Sequence, residues 1–166
     1  GTKEQANNIV KKAAQNCSMP YVTNHWVGGL ITNFREIQTR IKHLKKLEDD
    51  KERGKLKKYT KKEQADFDDE IKKLNNMFGG LKKIEKAPDA IFIVDLKREK
   101  TAVREARKKD IPIIAMVDTN VNPELAAYPI PANDDAVKCL ELIINSVSEA
   151  IKEGGAAVDK GGEVDK

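Results

Sequence analysis

Two aspartates close two short apolar runs: Asp95 follows Ile91, Phe92, Ile93 and Val94, and Asp118 follows the run from Ile113 to Val117. On neighbouring strands, both carboxylates would stand at one sheet edge, where they could hold Mg²⁺ or work as an acid–base pair. The plainer reading is that each caps the turn after its strand, with Thr119 and Asn120 continuing the second turn. Nothing completes a catalytic centre. No glycine-rich phosphate loop follows a strand, no serine elbow occurs, and His25 and His43 lack metal-ligand spacing to Cys17 or Cys139. A Mg²⁺-dependent, hydrolase-like domain using Asp95 and Asp118 is therefore the alternative, not the main expectation.

Basic side chains carry the stronger signal. Arg35, Arg40, Lys42, Lys45 and Lys46 crowd one stretch, and Lys55, Lys57, Lys58, Lys61 and Lys62 crowd another. Each group could neutralise several phosphates of an RNA. Asp49, Asp50, Asp66, Asp68, Asp69 and Glu70 are interspersed, so a solvated surface of Glu–Lys pairs, or a contact to another protein, fits the same pattern. The net charge of +4, from 31 basic and 27 acidic residues, is too small to argue for nucleic acid without such clustering. A third concentration of chemistry is the segment Asn24, His25, Trp26, Gly28, Gly29, Thr32 and Asn33, unusual for a plain connector. Trp26 reads first as a core or hinge anchor beside glycines and second as a ligand contact.

The elements that must position these residues can be read from periodicity. Residues 91–94 and 113–117 are apolar without alternation, as expected of strands covered on both faces. Between them Ala102, Val103 and Ala106 share one face of a helix. The unit is a parallel βαβ crossover, the core of an open α/β fold whose working edge lies at the strand carboxyl ends. Thr2, Lys3, Glu4 and Gln5 read as a capping box opening a first helix that buries Ala6, Ile9, Val10, Ala13 and Cys17. A helix that needs a sheet to cover, so near the first residue, implies strands upstream; the chain reads as a fragment. Tyr21 and Val22 suggest a short strand, and Asn33 with Glu36 a helix cap.

Residues 34–78 differ in kind. Phe34, Ile37, Ile41, Leu44 and Leu47, then Phe67, Ile71, Leu74 and Phe78, follow near-heptad spacing within charged surroundings. Gly54 ends one helix, Thr60 and Glu63 box the start of the next, and the two fold into an antiparallel coiled-coil hairpin projecting from the body, with Phe34 against Phe78. Leu81, Ile84, Lys82, Lys83 and Lys86 suggest a short basic helix. Tyr128–Ile130 suggests another short strand, and Asn133, Asp134 and Asp135 sit at the mouth of a last helix that buries Val137, Leu140, Ile143 or Ile144, Val147 and Ile151. The organisation expected is a body of residues 1–33 and 79–152, a hairpin insertion of 34–78 and a disordered tail of 153–166. The two cysteines on apolar helix faces suggest a reducing compartment. No apolar run reaches membrane-spanning length, and nothing looks like a signal peptide.

The segments MPYVTNHWVGGLITNF, APDAIFIVDLKREKTAVREARKKDIPIIAMVDTNVNP, YPIPANDDA and GTKEQA together resemble the signatures of the second small-subunit ribosomal protein family, over residues 1 to about 152. The resemblance implies a flavodoxin-like parallel sheet flanked by helices, with an inserted antiparallel α-helical hairpin, of the bacterial or organellar type. It implies a structural role in translation on the small subunit, in the cytoplasm of a bacterium or in an organelle. Small-subunit rRNA and other ribosomal proteins, notably the first small-subunit ribosomal protein, would be its partners, with no catalysis, cofactor, metal or membrane. The family's N-terminal helix and first strands have no counterpart here, which would leave a sheet edge exposed. His25 stands where the family usually has Arg, and a neutral imidazole would weaken a phosphate contact there. Carried onto this sequence, the RNA-facing residues would be Asn24, His25, Trp26, Gly28, Gly29, Thr32 and Asn33. Arg35, Arg40, Lys42, Lys82 and Lys83 join them on charge and position.

Overall fold

The computed structural model describes the backbone of residues 1–161 and the side chains of residues 1–155. Its centre is a three-stranded, wholly parallel sheet in the order β1 (Ile91–Ile93), β2 (Ile113–Val117), β3 (Tyr128–Pro131). Ile91 pairs with Ile113, and Ile114 with Tyr128. The strand period of two sorts the apolar runs to opposite faces. Ile91, Ile93, Ile113, Ala115 and Val117 join the core under α4 (Lys100–Lys108), while Phe92, Val94 and Met116 join the core under α1 (Glu4–Asn16) and α5 (Val137–Gly161). Both faces are covered, as the unbroken apolar runs required. Pro129 and Pro131 are tolerated because β3 is an edge strand, where a missing ladder donor costs least.

On the α4 side, Ala102, Val103 and Ala106 are buried, and their small side chains bring the helix close to the sheet. On the other side α1 and α5 run together. Ala6, Ala13, Leu140 and Ile144 are buried between them, and Ser148 Oγ donates to the Ala13 carbonyl at 2.9 Å. Val137, expected inside, is 48% exposed at the first position of α5, just after the turn in which Asn133 Oδ1 accepts from the amides of Asp135 and Ala136. The helix also continues to Gly161, past Glu153 where a disordered tail was expected. Propagation adds one backbone bond per residue once a helix exists, so two glycines did not end it. Residues 162–166 of that expected tail lie outside the described residues.

The helices α2 (Phe34–Glu52) and α3 (Lys61–Phe78) are joined through a left-handed Gly54, at φ 69°, and a 3₁₀ turn over Lys55–Lys58. The Thr60–Glu63 capping box is formed in both directions. Glu48 to Asn75, Lys51 to Asp68 and His43 to Glu70 tie α3 back along α2. The seam is not isolated from the body, however. Ile37, Ile41, Leu44, Leu47, Ile71 and Phe78 belong to the same buried cluster as Ile93, Leu96 and Ala102. Phe34 leaves the seam and lines a groove beside Pro88 and Ile111.

Four local expectations are corrected. Thr2 does not cap α1: Lys3 holds the cap position without a side-chain bond, because Thr2 is buried, its hydroxyl accepting from Arg98 Nε and its amide donating to Glu99. Asn33 is the residue ahead of α2, but its side chain makes no capping bond. Tyr21 and Val22 form no strand; the Tyr21 amide has a single partner across the chain, the carbonyl of Gly80 at 3.1 Å. Gly79–Leu81 is only a 3₁₀ turn, followed by no basic helix, since Lys82 turns aside to meet Glu48 at 2.7 Å.

Candidate nucleic-acid interface

Glu105 organises the segment between Trp26 and Thr32. It sits on α4 one position before Ala106 and three after Ala102, which puts it on the buried face of the helix. Its Oε1 accepts from the Gly29 amide at 2.7 Å and from Trp26 Nε1 at 3.3 Å. Its Oε2 accepts from the amides of Ile31 and Thr32 at 3.0 and 3.1 Å and from Thr32 Oγ1 at 3.1 Å. Burial alone would push this carboxyl up, but the donors from Thr32, Gly29, Ile31 and Trp26 outweigh it and hold the group below the ordinary glutamate range. Gly29 presents its amide from φ +90°, a conformation open to glycine, and Asn33 then returns its own amide to the Gly29 carbonyl at 2.8 Å.

This arrangement assigns most of the loop residues a holding role. Trp26 is packed against the core as well as bonded to Glu105, as the anchor reading expected. Asn24 donates to the carbonyl of Asn76 at 3.0 Å and links the loop to the end of α3. His25 and Gly28 are exposed, and His25 shares a small cleft with Trp26 and Arg98. Gly80 supports the loop from behind: a Cβ there would fall 2.3 Å from the Tyr21 carbonyl oxygen.

The cations chosen from charge alone divide. At roughly 100° per residue, positions four and seven apart share a helix face. Arg35, Lys42 and Lys46 thus form one stripe on α2, opposite Ile37, Ile41 and Leu44, and all three are exposed. Among the described residues none of them has a carboxylate within 4.0 Å, unlike Arg40, whose Nε lies 3.6 Å from Glu36. Lys82 is engaged by Glu48, whose carboxyl burial would raise and Lys82 and Asn75 together hold low. Lys83 is exposed, away from the stripe on the segment after α3. Arg35 also borders a groove of about 550 Å³ together with Lys109, Asp89 and Asp110.

At the carboxyl edge of the sheet, Asp95 and Asp118 each cap a turn of their own. Asp95 Oδ1 accepts from the Arg98 amide and Asp118 Oδ1 from the Thr119 amide, the turn-capping roles that competed with catalysis. Asp118 also approaches Asp134 and Asp135, with one oxygen from each within 4.8 Å of the others. The ammonium of Lys3 lies there at 2.8 Å from Asp134, 2.6 Å from Asp135 and 3.8 Å from Asp95. A cation is thus already supplied by the chain. Neither Lys3 nor Glu105 stood out in the sequence as a site residue. The signal for Glu105 was its place among the alanines of an otherwise buried helix face.

The sequence is matched by known proteins over nearly the whole chain. The profile of the family "Ribosomal protein S2" matches residues 1–154. The small ribosomal subunit protein uS2 of Dictyoglomus thermophilum is 48% identical over 154 residues, covering 93% of this chain and 63% of the relative. The uS2 protein of Coprothermobacter proteolyticus is 46% identical, over 93% of this chain and 58% of the relative. The uS2c protein of Rhodomonas salina is 46% identical, over 93% and 63%. The chain therefore spans less than two thirds of the length of these relatives. Within that span, the matched residues include both strands of the crossover, the Trp26–Thr32 loop and the Glu105 helix, and the chain belongs to the ribosomal protein S2 family.

Proposed function

We propose that this chain is a structural component of the small ribosomal subunit, in a bacterial cytoplasm or an organelle, that binds small-subunit rRNA and offers a surface to neighbouring ribosomal proteins. The first small-subunit ribosomal protein is the expected neighbour. One observation carries the RNA contact: the exposed Arg35–Lys42–Lys46 stripe, fixed on a helix whose other face is core. The stripe runs for roughly 16 Å along the helix, at 1.5 Å rise per residue, enough to follow several phosphates. The Glu105-held loop sets the start of α2 and so the direction of the stripe. The hairpin is an insertion by its charge and spacing, and its coiled-coil character belongs to this proposal too.

A structural rather than catalytic role is supported by the strand-end acids, which are spent on local amides and, for Asp95, on Lys3 as well. Among the described residues no helix is long and apolar enough to cross a membrane. The test is co-sedimentation of the tagged chain with small subunits, combined with rRNA-fragment binding across salt. Replacing Arg35, Lys42 and Lys46 by Ala should reduce affinity and lower the salt slope by about 2–3, at about 0.9 per neutralised phosphate on a duplex. An unchanged slope would remove these residues from the interface.

A further inference from the structure

The turn joining α2 to α3 carries charge that the fold does not use. Of the five lysines between positions 55 and 62, only Lys55 has a carboxylate within 4.0 Å among the described residues, Asp50 at 2.8 Å. Lys57, Lys58, Lys61 and Lys62 are exposed, and such crowding of like charges opposes folding rather than helping it. Tyr59 stands in their midst at 37% exposure. Its ring is supported edge-on by Phe67, centroids 5.3 Å apart, and Lys58 Nζ lies 5.2 Å from its centroid. The ring stands between left-handed Gly54 on one side and the two-way Thr60–Glu63 capping box on the other.

We propose that this tip binds an unpaired stretch of RNA, with one base stacked on Tyr59 and the flanking phosphates met by Lys57, Lys58, Lys61 and Lys62. An aromatic face set among cations is how unpaired nucleotides are held without sequence readout, whereas a paired helix offers no free base to stack. Lys58 already occupies the environment that a base would take, so stacking exchanges a cation–π contact for a larger one. The proposal rests on the rRNA reading only for the class of partner; it concerns different residues and a different form of RNA from the α2 stripe.

The experiment uses the full chain, a fluorescein-labelled oligouridine twelve-mer, a paired RNA hairpin of equal length, and a polyglutamate peptide, read by fluorescence anisotropy. Tyr59→Leu keeps apolar bulk against Phe67 while removing the ring, and Tyr59→Phe keeps the ring. The expected result is that Tyr59→Leu weakens oligouridine binding about 5- to 150-fold, the loss of one stacked base, with duplex binding unchanged and Tyr59→Phe like the parent. Changing the four lysines to Gln should lower the oligouridine salt slope by about 3, at about 0.7 per phosphate on a single strand. Equal oligouridine affinity for Tyr59→Leu and the parent, at unchanged melting temperature, would overturn the proposal. So would tighter binding of polyglutamate than of oligouridine, which would make the tip a protein contact. Failure of the α2 stripe would show instead as unchanged duplex binding in the Arg35, Lys42 and Lys46 variant.

Discussion

Glu105 is a buried charge with no cation within 4.0 Å among the described residues, compensated by three amides, an indole N–H and a hydroxyl. Such a group is worth more than its bond count, because removing it leaves several buried donors unpaired at about 1–3 kcal/mol each. Glu105→Gln is the informative change. Whichever way the amide lies, its NH₂ faces at least two donors, so the variant should lose about 2–4 kcal/mol in urea unfolding. The effect depends on pH. The native carboxyl titrates below its unfolded value, so its stabilisation is complete above the unfolded pKa and is lost as pH falls through the native one. The gap between parent and Glu105→Gln should therefore be full at pH 7 and narrow once pH drops below about 4.3. A gap independent of pH down to acid unfolding would show that the carboxylate charge is not what holds the loop. Gly80 makes a second prediction at this scale. Its absent Cβ leaves room for the Tyr21 backbone, so Gly80→Ala should cost about 1–3 kcal/mol by overpacking, read from the denaturation midpoint. Neither effect was visible in the sequence, since both depend on residues dozens of positions away.

At the scale of elements, legibility followed periodicity. The βαβ crossover, the buried alanine face of α4, the Gly54 break and the Thr60–Glu63 box all rest on patterns a few residues long, and all are in the structure. Two of the failed inferences were ones in which a polar side chain had a better distant partner. Thr2 went to Arg98 instead of capping α1, and Lys82 went to Glu48 instead of lining a basic helix. Heptad spacing likewise located the seam of the hairpin without showing that it continues into the body. Leu44 tests that continuity, being fully buried in the cluster that also holds Ile93 and Ala102. Leu44→Ala should cost about 2–5 kcal/mol and shift a single cooperative transition. Two separate transitions, with only one of them moved, would mean that α2 and α3 unfold as their own unit.

For the molecule as a whole, the carboxyl edge of the sheet and the helix surfaces carry their charge differently. The carboxyl edge, where an open α/β domain would ordinarily keep its ligand, is closed by the chain itself: Lys3 binds Asp134 and Asp135, while Asp95 and Asp118 cap their own turns. Among the described residues, exposed cations without a carboxylate within 4.0 Å stand instead on helix surfaces: on α2 and its tip, and on α4 at Lys100, Arg104, Arg107 and Lys108. That distribution separates the structural reading from the hydrolase one in a single experiment. Changing Asp95 and Asp118 together to Asn removes the metal-holding or acid–base capacity of that pair, yet an amide oxygen still caps each turn. The double variant should therefore enter small subunits at the parental level, followed by sedimentation, and lose no more than about 1–2 kcal/mol of stability. Lys3→Met is the contrasting change. It strands the nearly fully buried Asp134 without its cation and should cost about 3–5 kcal/mol, as broken buried pairs do. If the Asp95 and Asp118 variant lost incorporation while remaining as stable as the parent, the strand-end acids would have a role beyond holding the fold. The working surface would then move from α2 to the sheet edge.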